Sequence, residues 1–490
     1  MLSFGRENAG VTETAVGVVV ATRSGRVRGR VDDGVAVFLG IPYAAAPFGE
    51  HRFQAPAPVT AWTGVRDALA YGPTAPKAPF PPPMDRLLAD PSIPGDECLN
   101  LNVWAPAGAA GRPVMVWIHG GSLRNGSSCL PAYSGHHFAR DGVVLVSINY
   151  RLGIEGFGVF PDAPANLGLR DQIAALTWVR DNIAAFGGDP GNVTVFGESA
   201  GSISIGALLT SPYAQGLFHR AVLQSGAPAA QPPEAAGRST RLIAKRLKVP
   251  ATAEAFAKVD RARLLAAQVS ITRGGPPIGN GNGFTLTVDG DVLPRDPMVA
   301  LHGGAAADIP VLLGYNAEEY RLWFVPTGLV DRINRLTLRL ALAKFRVRAR
   351  TARAYRAARP EATPGELLGV IATDRLLRRP LNLLADARLP GATWLYEFAW
   401  PSPVERLGAC HALEIGFVFD TLGTPDGLPL SGPNPPQELA DTMHRAWIAF
   451  ATTGDPGWPR WTPSRPVMRF DAPTSLLVHA PNDDELHSWT

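Results

Sequence analysis

The chain has 490 residues, 46% of them hydrophobic and 18% charged, a balance that supports a large buried core and excludes a mostly disordered protein. A formal net charge of +3 gives the whole protein no strong pull towards nucleic acid or acidic membranes. Cys98, Cys129 and Cys410 are the only cysteines; an odd, sparse set argues against a disulfide framework and fits a reducing compartment.

From the N-terminus, Glu7 and Glu13 precede the apolar run 15–21 where a signal peptide would carry positive charge. No run approaches the roughly 20 apolar residues of a membrane span. The expectation is a cytoplasmic protein with no span. Residues 16–22 and 24–29 predict a hairpin. The stretch 73–94 holds eight prolines and predicts an irregular loop, either the rim of a pocket or a surface connection. The apolar runs 114–118, 143–148, 192–196 and 221–224 predict strands covered on both faces.

Between the second and third runs, Ile173, Leu176, Val179 and Ile183 at helical spacing predict a helix over 171–186, stopped by Gly187-Gly188. Such alternation predicts a mostly parallel α/β sheet, to which 309–314 and 393–398 add strands. Length alone suggests about three domains. The pattern instead predicts one domain over 1–490, with helical, charged insertions near 230–280 and 331–390. The Arg-rich stretch 332–359 reads as a solvated helix face, with a helix for an anionic surface as the alternative.

The chemistry concentrates at Gly197-Glu198-Ser199-Ala200-Gly201, a G-x-S-x-G segment directly after the run 192–196 and before the apolar, small-residue stretch 202–209. A sharp strand-to-helix turn would lift Ser199 out of the sheet as a nucleophile. Flanking glycines avoid clashes there, and the helix N-terminus favours developing negative charge. Upstream, His119-Gly120-Gly121-Ser122 follows the run 114–118 and matches a loop that aims backbone N–H groups at an oxyanion.

Further segments make the relationship specific: Phe38-Leu39-Gly40-Ile41-Pro42-Tyr43-Ala44, Asp96-Glu97-Cys98-Leu99-Asn100-Leu101-Asn102-Val103, 117–121, Asn149-Tyr150-Arg151, 166–202, Leu223-Gln224-Ser225-Gly226 and 441–456. With these the chain resembles the type B carboxylesterase family, which includes the cholinesterases, over most of its length and least in 230–280 and 331–390. The resemblance implies the α/β-hydrolase fold, with a mostly parallel central sheet flanked by helices and capped by helical insertions. It implies hydrolysis of small-molecule carboxylic esters through an acyl-enzyme on Ser199, with no metal or cofactor.

Glu319 matches the family's acid, preferred by position over Glu318. His411, before Ile415-Gly416-Phe417-Val418-Phe419, matches the base, while His444 reads as structural and His479 and His487 as polar tail. Backbone N–H groups of Gly121, Ser122 and Ala200 would bind the oxyanion. Ser225 resembles a residue that hydrogen-bonds the acid, and Glu198 beside the nucleophile is a second supporting residue. Ser122 stands where the family has a third glycine, a position where its side chain would trim the acyl pocket. Family members with a disulfide at Cys98 pair it with an upstream cysteine, which this chain lacks. An amide or carbamate hydrolase with the same residues, a non-catalytic binding relative and a lidded lipase are the competing readings. The natural ester and the oligomeric state are left open.

Overall fold

The computed structural model describes residues 17–272 and 282–489. Among them, thirteen strands form one sheet. Seven run parallel, in the spatial order Val144–Ile148, Arg112–Ile118, Gly188–Glu198, Arg220–Gln224, Val311–Asn316, Thr393–Phe398 and Pro466–Phe470. The predicted hairpin is Gly17–Thr22 against Gly25–Asp32 in antiparallel register; Val16 lies outside the described residues. The hairpin, Val35–Pro42 and Asn100–Pro106 extend the sheet antiparallel on one side, and Leu476–His479 closes the other.

Strand alternation explains the continuous apolar runs. Val114, Val116 and Ile118 enter one core cluster, while Met115 and Trp117 point into the cluster on the opposite face. Both clusters are buried, so the strands between them are apolar on both faces over most of their length. The predicted helix spans Leu167–Asn182 and ends in the short turn Ile183–Phe186, closed by Gly187 at φ +88°. The run at 309–314 forms its strand two residues later. Pro310 has no N–H for a ladder, and its carbonyl instead accepts from Ala221 N–H at 3.1 Å.

The less family-like stretches carry their own small cores. Helices Arg238–Leu247, Ala253–Ala257 and Arg261–Thr272 gather Ile243, Leu247, Phe256 and Leu264 around Phe53 and Phe160; residues 273–280 lie outside the described set. Helices Arg335–Lys344, Ala349–Ala358, Pro364–Thr373 and Arg379–Ala387 occupy the second insertion. Arg378 there ties to the sheet: it pairs with Asp374 and donates to Glu397 on strand Thr393–Phe398. No helix among the described residues is long and apolar enough to cross a membrane.

Candidate active site

The candidate residues follow the carboxyl ends of four parallel strands, where ligands bind in open α/β sheets. Ser199 comes directly after strand Gly188–Glu198 and precedes helix Ala200–Leu208, at φ 54° and ψ −116°. A non-glycine residue held there stores about 1–3 kcal/mol of strain. The flanking glycines have a steric reason: a Cβ on either Gly197 or Gly201 would press into the Ile118 carbonyl oxygen of the neighbouring strand. Ser199 occupies the N-cap position but makes no side-chain cap bond, so its hydroxyl is not engaged by the helix.

His411 lies on the loop beyond strand Thr393–Phe398, with Nδ1 2.5 Å from Glu319 Oε2. Glu319 is 1% exposed and its other oxygen accepts the Asn316 N–H at 2.7 Å. Glu318 faces elsewhere: it accepts from Arg321 Nε at 2.6 Å and from Ala409 N–H at 3.1 Å. The structure thus brings Glu319, and not Glu318, to His411.

The far nitrogen of His411, Nε2, stands 2.8 Å from Glu198 Oε1 without hydrogen-bond alignment. No hydrogen bond joins it to Ser199 among the described residues. Burial opposes the charged imidazole, but Glu198 and Glu319 outweigh that and hold His411 well above the usual histidine range. Glu198 is itself pushed up by burial and drawn back by His411.

A third carboxyl closes the group. Glu414 is fully buried and takes hydrogen bonds from Asn316 Nδ2 at 2.7 Å and Gln224 Nε2 at 3.2 Å. Burial, then the charges of Glu198 and Glu319, push it up to about 8. Asn316 thereby links Glu414 to Glu319, using its side chain for one and its backbone for the other. Sequence reasoning missed both residues, although Glu414 stands three positions after His411 and invited the question.

Ser225 does not make the bond expected of it. Its hydroxyl is buried with no partner and its N–H goes to Gly314 O. Glu319 accepts instead from the Asn316 N–H and from His411 Nδ1. His444 lies in helix Gln437–Thr453 with Nδ1 2.7 Å from Val418 O.

The loop after strand Arg112–Ile118 takes up left-handed conformations, with φ of +110° at Gly121, +56° at Ser122 and +58° at Leu123. Ala200, the first residue of its helix, has no intrahelical acceptor for its N–H. Buried His119 is pushed down to about 3, chiefly by desolvation. As a neutral ring it donates from Nδ1 to Gly120 O at 2.8 Å and stacks on Tyr150.

A buried pair from the proline-rich stretch braces this loop. Lys77 and Asp90 are 2.7 Å apart with side chains 0% and 2% exposed. Lys77 donates to Gly126 O, and Asp90 accepts from Gly126 N–H and Asn125 Nδ2. Asn125 N–H in turn reaches Gly121 O at 2.8 Å. Charges in a proline-rich loop read as surface in the sequence, which is why this brace was not foreseen.

One cavity opens on Ser199, Glu198, His411, Gly120, Gly121 and Ser122. Phe80, Leu87 and Leu88 from the proline-rich stretch form part of its wall, so of the two readings of 73–94 the structure favours the rim. Trp323 forms another part, its ring 4.7 Å from that of His411. Among the described residues no group of three His, Cys, Asp or Glu side chains is placed to hold a metal ion. All three cysteines are buried free thiols.

The sequence profile of the carboxylesterase family matches residues 17–488. The chain belongs to the carboxylesterase family. This carboxylesterase is 38% identical to para-nitrobenzyl esterase of Bacillus subtilis over 470 residues, 90% of this chain and 92% of that one. It is 36% identical to phenmedipham hydrolase of Pseudarthrobacter oxydans over 475 residues, 94% of each chain. The crystal structure of a Geobacillus stearothermophilus carboxylesterase superposes on it with a TM-score of 0.86 at 38% identity, covering 96% of this chain and 100% of that one. The α/β-hydrolase fold and hydrolysis of carboxylic esters follow from that membership.

Proposed function

We propose that this carboxylesterase cleaves small-molecule esters through an acyl-enzyme on Ser199, with His411 as general base and Glu319 as its orienting partner. The observation that carries the reading is the His411–Glu319 contact on the same cavity as a serine whose hydroxyl is free of capping. For the first step, Nε2 of His411 turns from Glu198 to the Ser199 hydroxyl; such contacts tighten on substrate binding. Ser199 Oγ attacks the ester carbonyl carbon while its proton passes to Nε2. The oxyanion forms against the N–H groups of Gly121, Ser122 and Ala200, donors each worth about 2.7–4 kcal/mol in such sites.

His411 returns the proton to the alkoxide leaving group, and alcohol departs. Water then gives a proton to His411 and its oxygen to the acyl carbon; as the acyl–Oγ bond breaks, His411 returns that proton to Ser199 Oγ and the acid departs. Glu319 stabilises the imidazolium in both halves. Glu198 adds its charge beside the imidazole, while Glu414, pushed up by burial, anchors Asn316 behind Glu319. We place the protein in the cytoplasm, on the strength of its three unpaired, buried thiols.

The test is turnover of p-nitrophenyl butyrate by the wild type and by folded Ser199→Ala. A fall in kcat of about 10⁴- to 10⁶-fold supports the nucleophile; retention of activity refutes it. Matched esters, carbamates and anilides of one acyl group, with phenmedipham added because one relative is named for it, decide whether esters are the preferred class.

A further inference from the structure

We propose that helix Arg335–Lys344 is a docking surface for anionic lipid. Its inner face is accounted for: Leu338 belongs to a buried cluster with Tyr320, Phe324, Leu367 and Ile371, and Leu342 and Phe345 pack against it. The outer face is not what a solvated helix shows. Leu336 and Leu340, one turn apart and therefore side by side, are 65% and 63% exposed. Ala343 continues the stripe one turn further, also exposed.

Cations flank that stripe. Arg335, Arg339, Lys344 and Arg346 are all exposed. Residues 332–359 contain ten Arg or Lys and no Asp or Glu, so with a whole-chain charge of +3 the remainder is net −7. Four of these cations, Arg335, Arg339, Lys344 and Arg346, lie on or just beyond the helix that bears the exposed leucines.

This pairing selects the partner. Nucleic acid would satisfy the cations and leave the leucines in water. A leaflet of anionic lipid takes both, with guanidinium groups at the phosphates and leucines at the acyl boundary, the arrangement of interfacial helices. Each Arg near such a leaflet contributes about 1 kcal/mol, or roughly fivefold in partitioning. Trp323, which walls the cavity, packs against the same cluster that seats the helix, so docking would hold that wall close to the lipid. None of this depends on the ester chemistry.

The experiment is co-sedimentation of the full chain with phosphatidylcholine vesicles, with and without about one-third phosphatidylglycerol, and titration with duplex DNA in the same buffer. The expected result is binding to the anionic vesicles and not to the neutral ones. Arg335→Gln/Arg339→Gln should lower partitioning about 25-fold, and Leu336→Ser/Leu340→Ser by at least about tenfold. Thermal unfolding of each variant serves as the fold control. No binding by wild type, equal binding by the leucine variant, or tighter binding to DNA than to anionic vesicles would each overturn the proposal.

Discussion

N-cap residues in two regions of the molecule serve different ends. In the 331–390 insertion, Thr363 accepts from the Glu366 N–H, and Glu366 reaches back to the Thr363 N–H; Asn334 likewise accepts from Thr337. At the carboxyl end of the central strand Gly188–Glu198, Ser199 occupies the equivalent position and caps nothing, because its φ of 54° takes the hydroxyl out of capping geometry. A missing cap costs about 1 kcal/mol, in addition to the backbone strain. The insertion's caps stabilise its helices, whereas the turn at Ser199 gives up a cap and, on the proposed reading, serves to present the nucleophile. Buried carboxylates follow the same division: Glu198, Glu319 and Glu414 crowd one imidazole, whereas the insertion's arginines mostly face water.

The largest expected effect lies at the carboxyl ends of the strands. Glu319→Gln should lower kcat by roughly 10⁴-fold with little change in fold, while Glu318→Gln should stay within a few-fold of wild type; steady-state kinetics on p-nitrophenyl butyrate distinguishes the two. Next comes the brace. Asp90→Ala leaves Lys77 buried and unpaired, at a cost of about 3–5 kcal/mol. Denaturant unfolding should show that loss, and a variant that remains folded should lose more in kcat than in KM.

In the insertion, Leu367→Ala should cost about 2–5 kcal/mol from its buried site. Hydrogen exchange should rise over 335–373 and leave strands 112–118 and 188–198 protected. Equal loosening of both would remove the contrast. Ser122→Gly relieves a left-handed serine and should raise stability by about 1 kcal/mol. A broader acyl-length profile should accompany it, and an unchanged profile would show that the side chain does not trim the pocket.

The smallest effect is on pH. The base must be neutral, so kcat/KM rises as pH passes through a His411 pKa that Glu198 and Glu319 hold up against burial. Glu198→Gln removes one of those charges, so the acidic limb of the profile should move to lower pH. A limb that stays in place would assign the effect to Glu319 alone.

Much of this arrangement could be read from the chain. Strands buried on both faces leave continuous apolar runs, so 393–398 was placed at its observed bounds, as Thr393–Phe398. The short motif around Ser199 was legible because its glycines answer a local steric demand. Strand Gly188–Glu198 was read short, since Gly188 to Asn192 carry turn chemistry and only tertiary pairing with Arg112 extends the ladder. Asn316, Glu414 and the Lys77–Asp90 pair were invisible for a related reason. Their partners lie tens to hundreds of positions away, or act through backbone groups that every residue possesses. The resemblance pairs Ser225 with the acid, whereas Glu319 takes its hydrogen bonds from Asn316 and His411.

The Lys77–Asp90 pair joins the proline-rich rim of the cavity to Gly126, on the loop that follows Gly121 and Ser122 at the cavity floor. Rim and floor therefore behave as one solid piece. If that loop holds the oxyanion as proposed, a substitution that breaks the joint while widening the doorway should change turnover as well as substrate range, whereas one that spares it should change range alone.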